Sequence, residues 1–186
     1  MVRRTHLILI LACILVSCKK EKSPLDKFKL VTEKDKVHEL VGKKFPSKVL
    51  ASLSGKDVSL SDFEGKPTMI NLWFVACAPC IDEMPVLNGI KAKYEKDVNF
   101  LSITFDKKER VNKLLEKHDF DFFHIVEAKD FLAEIGVQGY PKNIFLNKEG
   151  IIERIEGGIP YTPIDGKLVR GDGKEFYDYI EELLAL

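Results

Sequence analysis

The chain has 186 residues, of which 45% are hydrophobic, and its 29 lysine and arginine residues balance its 29 aspartate and glutamate residues. A chain of this length and apolar content can fill one hydrophobic core, and it is too short to build two of comfortable size. The balanced charge argues against a nucleic acid partner, which requires a basic surface. Composition therefore favours one globular domain that binds no nucleic acid.

The first residues have the pattern of an export signal. A short basic start, with Arg3 and Arg4, precedes an apolar run over residues 7–16. This run is shorter than the about 20 residues that a membrane-spanning helix needs. It ends in Leu-Val-Ser before Cys18, which resembles a bacterial lipobox, where cleavage leaves the cysteine as a lipid-modified N-terminus. We expect residues 1–17 to be a lipoprotein signal peptide and Cys18 to be the lipidation site.

A lysine-rich segment follows the expected lipidation site. It carries interspersed acidic residues and shows no apolar periodicity at its start, which is typical of a solvated tether. We therefore expect residues 18–38 to be a lipid anchor and charged tether, and residues 39–186 to be the folded domain. Together with the signal peptide, this organisation predicts a protein of the cell envelope that is held to a membrane by the lipid and faces the periplasm.

Strand and helix patterns alternate beyond the tether. The predicted elements are a hairpin over residues 49–60, a buried strand over 68–75, a helix over 81–94, a strand over 98–105, a helix over 106–118, a strand over 122–126, a helix over 129–135, a hairpin over 143–155 and a helix over 173–186. An order of this kind favours an α/β fold in which helices cover both faces of a central sheet.

Two cysteines lie between the first buried strand and the helix that follows it. Cys77 and Cys80 form a C-x-x-C motif, in which the helix N-terminus offers unpaired N–H groups and a positive dipole to the first sulfur. Both effects stabilise a thiolate. Because the other cysteines, Cys13 and Cys18, belong to the export segment, the folded body contains one closely spaced pair. In an exported protein such a pair is more consistent with a working dithiol than with a structural disulfide.

Glu83 follows Cys80 by three residues and lies on the same face of the predicted helix. A carboxylate beside a buried thiol is disfavoured as an anion, so its pKa rises and it can exchange protons with the thiol. We expect Glu83 to exchange protons with Cys80 during reduction and oxidation. A solvated glutamate on the helix surface is the other interpretation of this position.

Several short motifs together resemble the TlpA/ResA-type branch of thioredoxin-fold proteins, which are membrane-anchored thiol-disulfide oxidoreductases of bacteria. The motifs that carry the resemblance are Gly65-Lys66-Pro67, Asn71-Leu72-Trp73, Cys77-Ala78-Pro79-Cys80, Glu83-Met84-Pro85, Asp106, Gly136-Val137-Gln138-Gly139-Tyr140-Pro141 and Phe145-Leu146. The resemblance covers about residues 40–186. The resemblance implies a thioredoxin-like fold with a central mixed sheet, helices on both faces and an N-terminal β-hairpin.

The resemblance also implies roles for individual residues. Pro141 matches a cis proline that faces the C-x-x-C motif, and the backbone beside it pairs with the substrate chain as an added strand. Asn71 occupies the position where thioredoxins carry a buried acid, which places more weight on Glu83. Ala76 stands where the family often has tryptophan before the first cysteine. This departure leaves the thiol chemistry intact and changes the expected substrate surface.

The activity that the resemblance implies is disulfide reduction by a Cys77–Cys80 redox pair. The expected substrates are disulfide-bearing envelope proteins, such as those of cytochrome c maturation, and a membrane electron-donor thiol protein would recharge the pair. No cofactor and no metal is expected. The residues do not set the direction of electron flow, because the redox potential depends on thiolate stability.

Three other functions fit parts of the pattern. A peroxiredoxin-like peroxidase needs proline and threonine at positions that Ile70 and Phe74 occupy here. A Sco-like copper-binding protein needs C-x-x-x-C and a distant histidine, and the spacing here is one residue shorter, although His118 and His124 are present. A lipid-anchored binding module without enzymatic activity would have no need of the intact cysteine pair.

Overall fold

The computed structural model describes residues 35–186. The strands in this range are β1 Val49–Ala51, β2 Asp57–Ser59, β3 Thr68–Trp73, β4 Asn99–Thr104, β5 Phe123–Ile125, β6 Lys142–Leu146, β7 Ile152–Glu156, β8 Tyr161–Ile164 and β9 Lys167–Arg170. The α-helices in this range are α1 Ala78–Tyr94, α2 Lys108–Leu115, α3 Lys129–Glu134 and α4 Lys174–Leu184, and short 3-10 helices cover Lys36–Leu40 and Leu60–Phe63.

A five-stranded mixed sheet in the order β5-β4-β3-β6-β7 forms the centre of the fold. Strand β3 pairs in parallel with β4, since the crossover through α1 returns the chain in the same direction. On its other side β3 pairs antiparallel with β6, which continues into the β6–β7 hairpin. This arrangement confirms the predicted α/β fold with a mixed sheet, and the β1–β2 pair confirms the N-terminal hairpin.

Alternation along β3 divides its side chains between the two faces of the sheet. Met69 and Trp73 pack on one face with residues of α1, α2 and α4, whereas Ile70 and Leu72 pack on the other with residues of α3 and the β1–β2 hairpin. All six residues of β3 are buried, as the continuous apolar run predicts. Because Asn71 shares its face with Met69 and Trp73, it points toward α1.

The folded part begins before the boundary expected at residue 39. Val37 in the first 3-10 helix is fully buried in the core, and Asp35 forms an ion pair of 2.6 Å with Lys142. Residues 35–38 therefore pack with the domain, although the charge pattern predicts a tether there. Cys18, the expected signal peptide and residues 18–34 of the expected tether lie outside the described residues.

Within residues 35–186, no helix combines the length and the hydropathy that a membrane span requires.

The β8–β9 hairpin is an element that the sequence pattern did not predict. Its strands pair antiparallel with Tyr161 opposite Arg170, and they form a separate two-stranded sheet. Asp165 and Gly166 join the strands and both have positive φ, at 48° and 75°. An Asp-Gly pair in this conformation is a favoured two-residue hairpin turn. The hairpin precedes α4 and, as described below, reaches the beginning of α1.

Candidate functional site

The cysteine pair lies where β3 ends and α1 begins. Cys77 is the N-cap of α1 and Cys80 lies in its first turn, and the two form a disulfide with Cα atoms 5.2 Å apart. Cys80 is fully buried, whereas Cys77 is 4% exposed and is flanked by exposed Ala76 and Ala78. An approaching sulfur can therefore reach Cys77 more easily than Cys80.

The first turn of α1 polarises the sulfur of Cys77. The backbone N–H of Cys80 donates to Cys77 Sγ at 3.3 Å. Pro79 is accommodated in this turn because its missing N–H would have no partner within the helix. The remaining N–H groups and the helix dipole favour negative charge on this sulfur once the disulfide is reduced.

Glu83 lies one turn deeper in α1 and is fully buried. Both of its carboxylate oxygens accept hydrogen bonds. Asn71 Nδ2 donates to Oε1 at 3.0 Å, and the backbone N–H of Ile159 donates to Oε2 at 2.9 Å. The position is therefore a buried polar pocket and not the solvated helix surface of the other interpretation.

Two asparagines on neighbouring strands form the floor of this pocket. The register of β3 and β6 places Asn71 directly opposite Asn143. Asn71 Nδ2 donates to Asn143 Oδ1 at 2.9 Å, and Asn143 Nδ2 lies 3.4 Å from Glu83 Oε1 and 3.0 Å from the carbonyl oxygen of Gly157. Sequence analysis did not assign Asn143 to the site, because its link to Glu83 depends on strand register.

Burial and hydrogen bonding act in opposite directions on Glu83. Burial disfavours the anion and raises the pKa of Glu83 from 4.5 to about 7, although the hydrogen bonds from Ile159, Asn143 and Asn71 and the charge of Arg170 act to lower it. A carboxyl group with this pKa changes its protonation near neutral pH. It is therefore suited to take up and release a proton beside the cysteine pair.

Pro141 and Glu83 meet at one glycine. The Tyr140–Pro141 peptide bond is cis, and β6 begins at the next residue. A Cβ atom on Gly158 would lie 2.6 Å from Pro141 Cγ and 2.9 Å from Glu83 Oε2. At such distances a side chain on residue 158 would force Pro141 or Glu83 to move, whereas glycine fits without displacing either. Sequence analysis did not assign Gly158 to the site, although the Gly157-Gly158 pair is the signal in the sequence from which a close approach could have been inferred.

Three aromatic rings lie beside the loop that carries Cys77. Phe74 stacks on Phe105 with centroids 5.4 Å apart, and Tyr140 packs edge-on against both, at 5.4 and 5.8 Å. Phe105 is 36% exposed. Because Phe74 precedes Cys77 and Tyr140 precedes Pro141, these rings join the two loops that the resemblance places on the substrate side.

Asp106 binds the loop that precedes Cys77. Its Oδ2 accepts the backbone N–H of Val75 at 2.8 Å, and its Oδ1 pairs with Arg110 at 2.7 Å. Asp106 is buried, so these contacts fix the loop to the end of β4. Its place among the family motifs therefore has a structural explanation.

Neither of the two histidines considered for copper binding belongs to a group of possible metal ligands among the described residues. His124 is held between Ser102 Oγ and the carbonyl oxygen of Phe120, and burial lowers its pKa. His118 is exposed. Among residues 35–186, no three metal-ligating side chains are grouped closely enough to hold an ion.

Comparison with known proteins agrees with this geometry. The Redoxin family model matches residues 40–165, which is more than half of the chain. The chain belongs to the Redoxin family. The thiol-disulfide oxidoreductase ResA of Bacillus cereus is 30% identical over 138 residues, which cover 72% of this chain and 80% of the relative. ResA of Geobacillus thermodenitrificans is 30% identical over 153 residues, which cover 81% of this chain and 82% of the relative.

A solved structure supports the same placement. The thioredoxin domain of a thiol-disulfide oxidoreductase from Bacteroides vulgatus aligns with a TM-score of 0.64 and 25% identity, covering 77% of this chain and 97% of that domain. The fold, the relatives and the family match together make the chain a ResA-like thiol-disulfide oxidoreductase.

Proposed function

We propose that this protein is a membrane-anchored thiol-disulfide oxidoreductase that reduces disulfides of envelope proteins through Cys77 and Cys80. The observation that carries the proposal is a closed Cys77–Cys80 disulfide at the start of α1, with the carboxyl group of Glu83 buried in the same helix. A disulfide-bearing protein is the expected substrate, and proteins of cytochrome c maturation are one such class.

The first step forms a mixed disulfide. The thiolate of reduced Cys77 attacks one sulfur of the substrate disulfide, and the other substrate sulfur leaves as a thiolate and takes a proton from water. The helix N-terminus lowers the free energy of the Cys77 thiolate before the attack. Cys77 is then joined covalently to the substrate.

The second step releases the reduced substrate. Cys80 gives its proton to the carboxylate of Glu83 and attacks Cys77, which displaces the substrate as a thiolate. The substrate disulfide has then gained two electrons, and the Cys77–Cys80 dithiol has lost two. A membrane electron-donor thiol protein would reduce Cys77–Cys80 again by the same chemistry.

Pro141 and the aromatic rings give the substrate a place to bind. In this proposal an extended substrate segment pairs with the backbone beside Pro141 and contacts Phe74, Phe105 and Tyr140. Main-chain pairing of this kind supplies affinity with little sequence selectivity. It would therefore allow several envelope proteins to present a disulfide to Cys77.

The proposed location follows from the first residues of the chain. Cleavage after residue 17 and lipidation of Cys18 would hold the domain at a membrane of the cell envelope, facing the periplasm. Two or more acyl chains give stable attachment, whereas one chain alone gives marginal binding.

Trapping the mixed disulfide tests the proposed function. In cells that make the full chain, Cys80→Ser should accumulate proteins linked through Cys77, because the second step is blocked. The double variant Cys77→Ser, Cys80→Ser is the matched control. Envelope proteins bound to the single variant alone would support the proposal, whereas equal capture by both variants would refute it.

A further inference from the structure

The β8–β9 hairpin brings an arginine to the redox centre. Seven of its eight strand residues are exposed, and the last, Arg170, has a side chain that is only 11% exposed. The hairpin therefore has little core of its own, and a two-stranded hairpin alone is marginally stable in water. Its contact with the rest of the molecule is concentrated at the end where Tyr161 and Arg170 face each other.

The guanidinium group of Arg170 binds two separate backbone segments. Nη2 donates to the carbonyl oxygen of Pro79 at 2.7 Å, and Nη1 donates to the carbonyl oxygen of Ile159. Pro79 lies between the two cysteines. The N–H of Ile159 donates to Glu83 Oε2 at 2.9 Å. One planar group thus connects the C-x-x-C turn with the segment that binds the buried carboxyl group.

Tyr161 fixes the orientation of the guanidinium group. The Tyr161 ring centroid lies 3.8 Å from Arg170 Cζ, and Nη2 also donates to Tyr161 Oη at 2.6 Å. Tyr161 Oη in turn donates to Asp82 in α1. Since the guanidinium is a rigid fork with several donors, it can hold both carbonyl groups at set positions, and a lysine cannot.

The third nitrogen of the Arg170 side chain makes no contact of this kind. Within the described part of the chain, Arg170 Nε is buried without a hydrogen-bond partner. An unsatisfied buried donor costs free energy, so the contacts of Nη1 and Nη2 are made in spite of this cost.

We propose that Arg170 is a positioning residue of the redox centre. Its guanidinium group holds the Cys77–Cys80 turn at a fixed distance from the segment around Ile159 that binds Glu83. This inference rests on the proposed function of the Cys77–Cys80 pair in disulfide exchange. Strands β3 and β6 face Glu83 with the neutral amides of Asn71 and Asn143, so Arg170 is the charged side chain that favours its carboxylate.

The test compares three variants of the full chain. Arg170→Met replaces the stem of the side chain as far as Nε with an unbranched chain of the same number of atoms and removes both the charge and the fork. Arg170→Lys keeps the charge and removes the fork alone. Arg154→Met is the matched control, because Arg154 also lies over an aromatic ring, that of Tyr179 at 4.1 Å, and pairs with the exposed Glu182 at 3.5 Å. The measurement is the rate at which the reduced protein reacts with oxidised glutathione, as a function of pH.

Arg170→Met should lower the rate by about tenfold or more, because small displacements of reacting groups slow a reaction strongly. It should also move the midpoint of the rate–pH profile to higher pH than in the wild type, because the charge that lowers the pKa of Glu83 is lost. Arg170→Lys should lower the rate and keep the midpoint. Arg154→Met should change neither. The proposal is overturned if both Arg170 variants match Arg154→Met.

A parallel profile of Glu83→Gln separates this inference from the proposed function. Suppose that Glu83→Gln retains the wild-type pH profile while Arg170→Met and Arg170→Lys both slow the reaction. This result would refute proton exchange by Glu83 and support the positioning of the cysteine turn by Arg170. If Arg170→Met does not fold, Arg170→Lys decides alone: a wild-type rate for it refutes positioning by the fork.

Discussion

The surroundings of the Glu83 carboxyl group favour neither the ionised nor the neutral form completely. Three donors around it suit the anion, whereas complete burial suits the neutral acid. The balance brings the pKa of Glu83 to about 7. Ionisation of this carboxyl group lowers the free energy of unfolding. Such a loss is expected at sites that transfer protons, where pKa values are shifted.

The cost should appear in the pH dependence of unfolding. Because the pKa of Glu83 is about 7 in the folded chain and about 4.5 for an unperturbed glutamate in the unfolded chain, the folded state binds the proton more tightly. Stability from this group is therefore present below about pH 4.5 and is lost as pH rises through 7. Relative to Glu83→Gln, the wild type should lose about 3 kcal/mol of unfolding free energy across this range.

Chemical denaturation of the disulfide form at a series of pH values measures this difference, since the oxidised cysteines do not titrate. A difference between wild type and Glu83→Gln that stays constant with pH would contradict a raised pKa for Glu83.

At the scale of elements, the core strands and helices are predictable because apolar runs mark the buried strands and apolar residues at helical spacing mark the helices. The helix over 106–118 is shorter than its pattern, since α2 covers Lys108–Leu115. The β8–β9 hairpin escaped prediction because Pro163 interrupts the first strand and both faces are exposed, so no apolar alternation marks it. Its one local sign was Asp165-Gly166.

The site was predictable to the extent that one element carries it. Cys77, Cys80 and Glu83 share α1, so helical spacing alone brings them together. Asn143, Gly158 and Arg170 join the same site through strand register and loop packing, which cannot be calculated from spacing along the chain.

The packing of the β7–β8 loop against α1 and β6 gives an element-scale prediction. Gly158→Ala would place a methyl group 2.6 Å from the Pro141 ring and 2.9 Å from the Glu83 carboxylate. We expect a loss of about 1–3 kcal/mol in unfolding free energy, as overpacking usually costs, together with reduced disulfide exchange.

Gly157→Ala is the matched control, because a Cβ atom there meets no atom within 4 Å. Thermal unfolding and the rate of insulin disulfide reduction would be measured for both variants. Equal behaviour of the two would show that the loop relaxes freely and that the close approach at Gly158 has no consequence.

For the whole molecule, the domain and the export segment carry separate tasks in the proposed function. The redox centre lies entirely within residues 71–170, whereas Cys18 lies outside the described residues. Chemistry at Cys77 should therefore be independent of the anchor, and encounters with membrane-bound partners should depend on it.

The variant Cys18→Ala tests this separation. We expect it to lose incorporation of labelled fatty acid, to leave the membrane fraction and to keep wild-type disulfide exchange after purification. Reduction of envelope disulfides in cells should fall, because partners would have to be found by diffusion in three dimensions. A wild-type chain that fractionates as a soluble protein with Met1 intact would refute the signal peptide, the lipid and the envelope location together.

The most direct test of the central claim is the pH dependence of alkylation in the reduced protein. Short exposures to iodoacetamide at a series of pH values, followed by peptide fragmentation in a mass spectrometer, give separate curves for Cys77 and Cys80. Cys77 should react with a midpoint well below the free-thiol pKa of about 8.5, and Cys80 should react more slowly at every pH. Faster alkylation of Cys80 would contradict the assignment of Cys77 as the nucleophile.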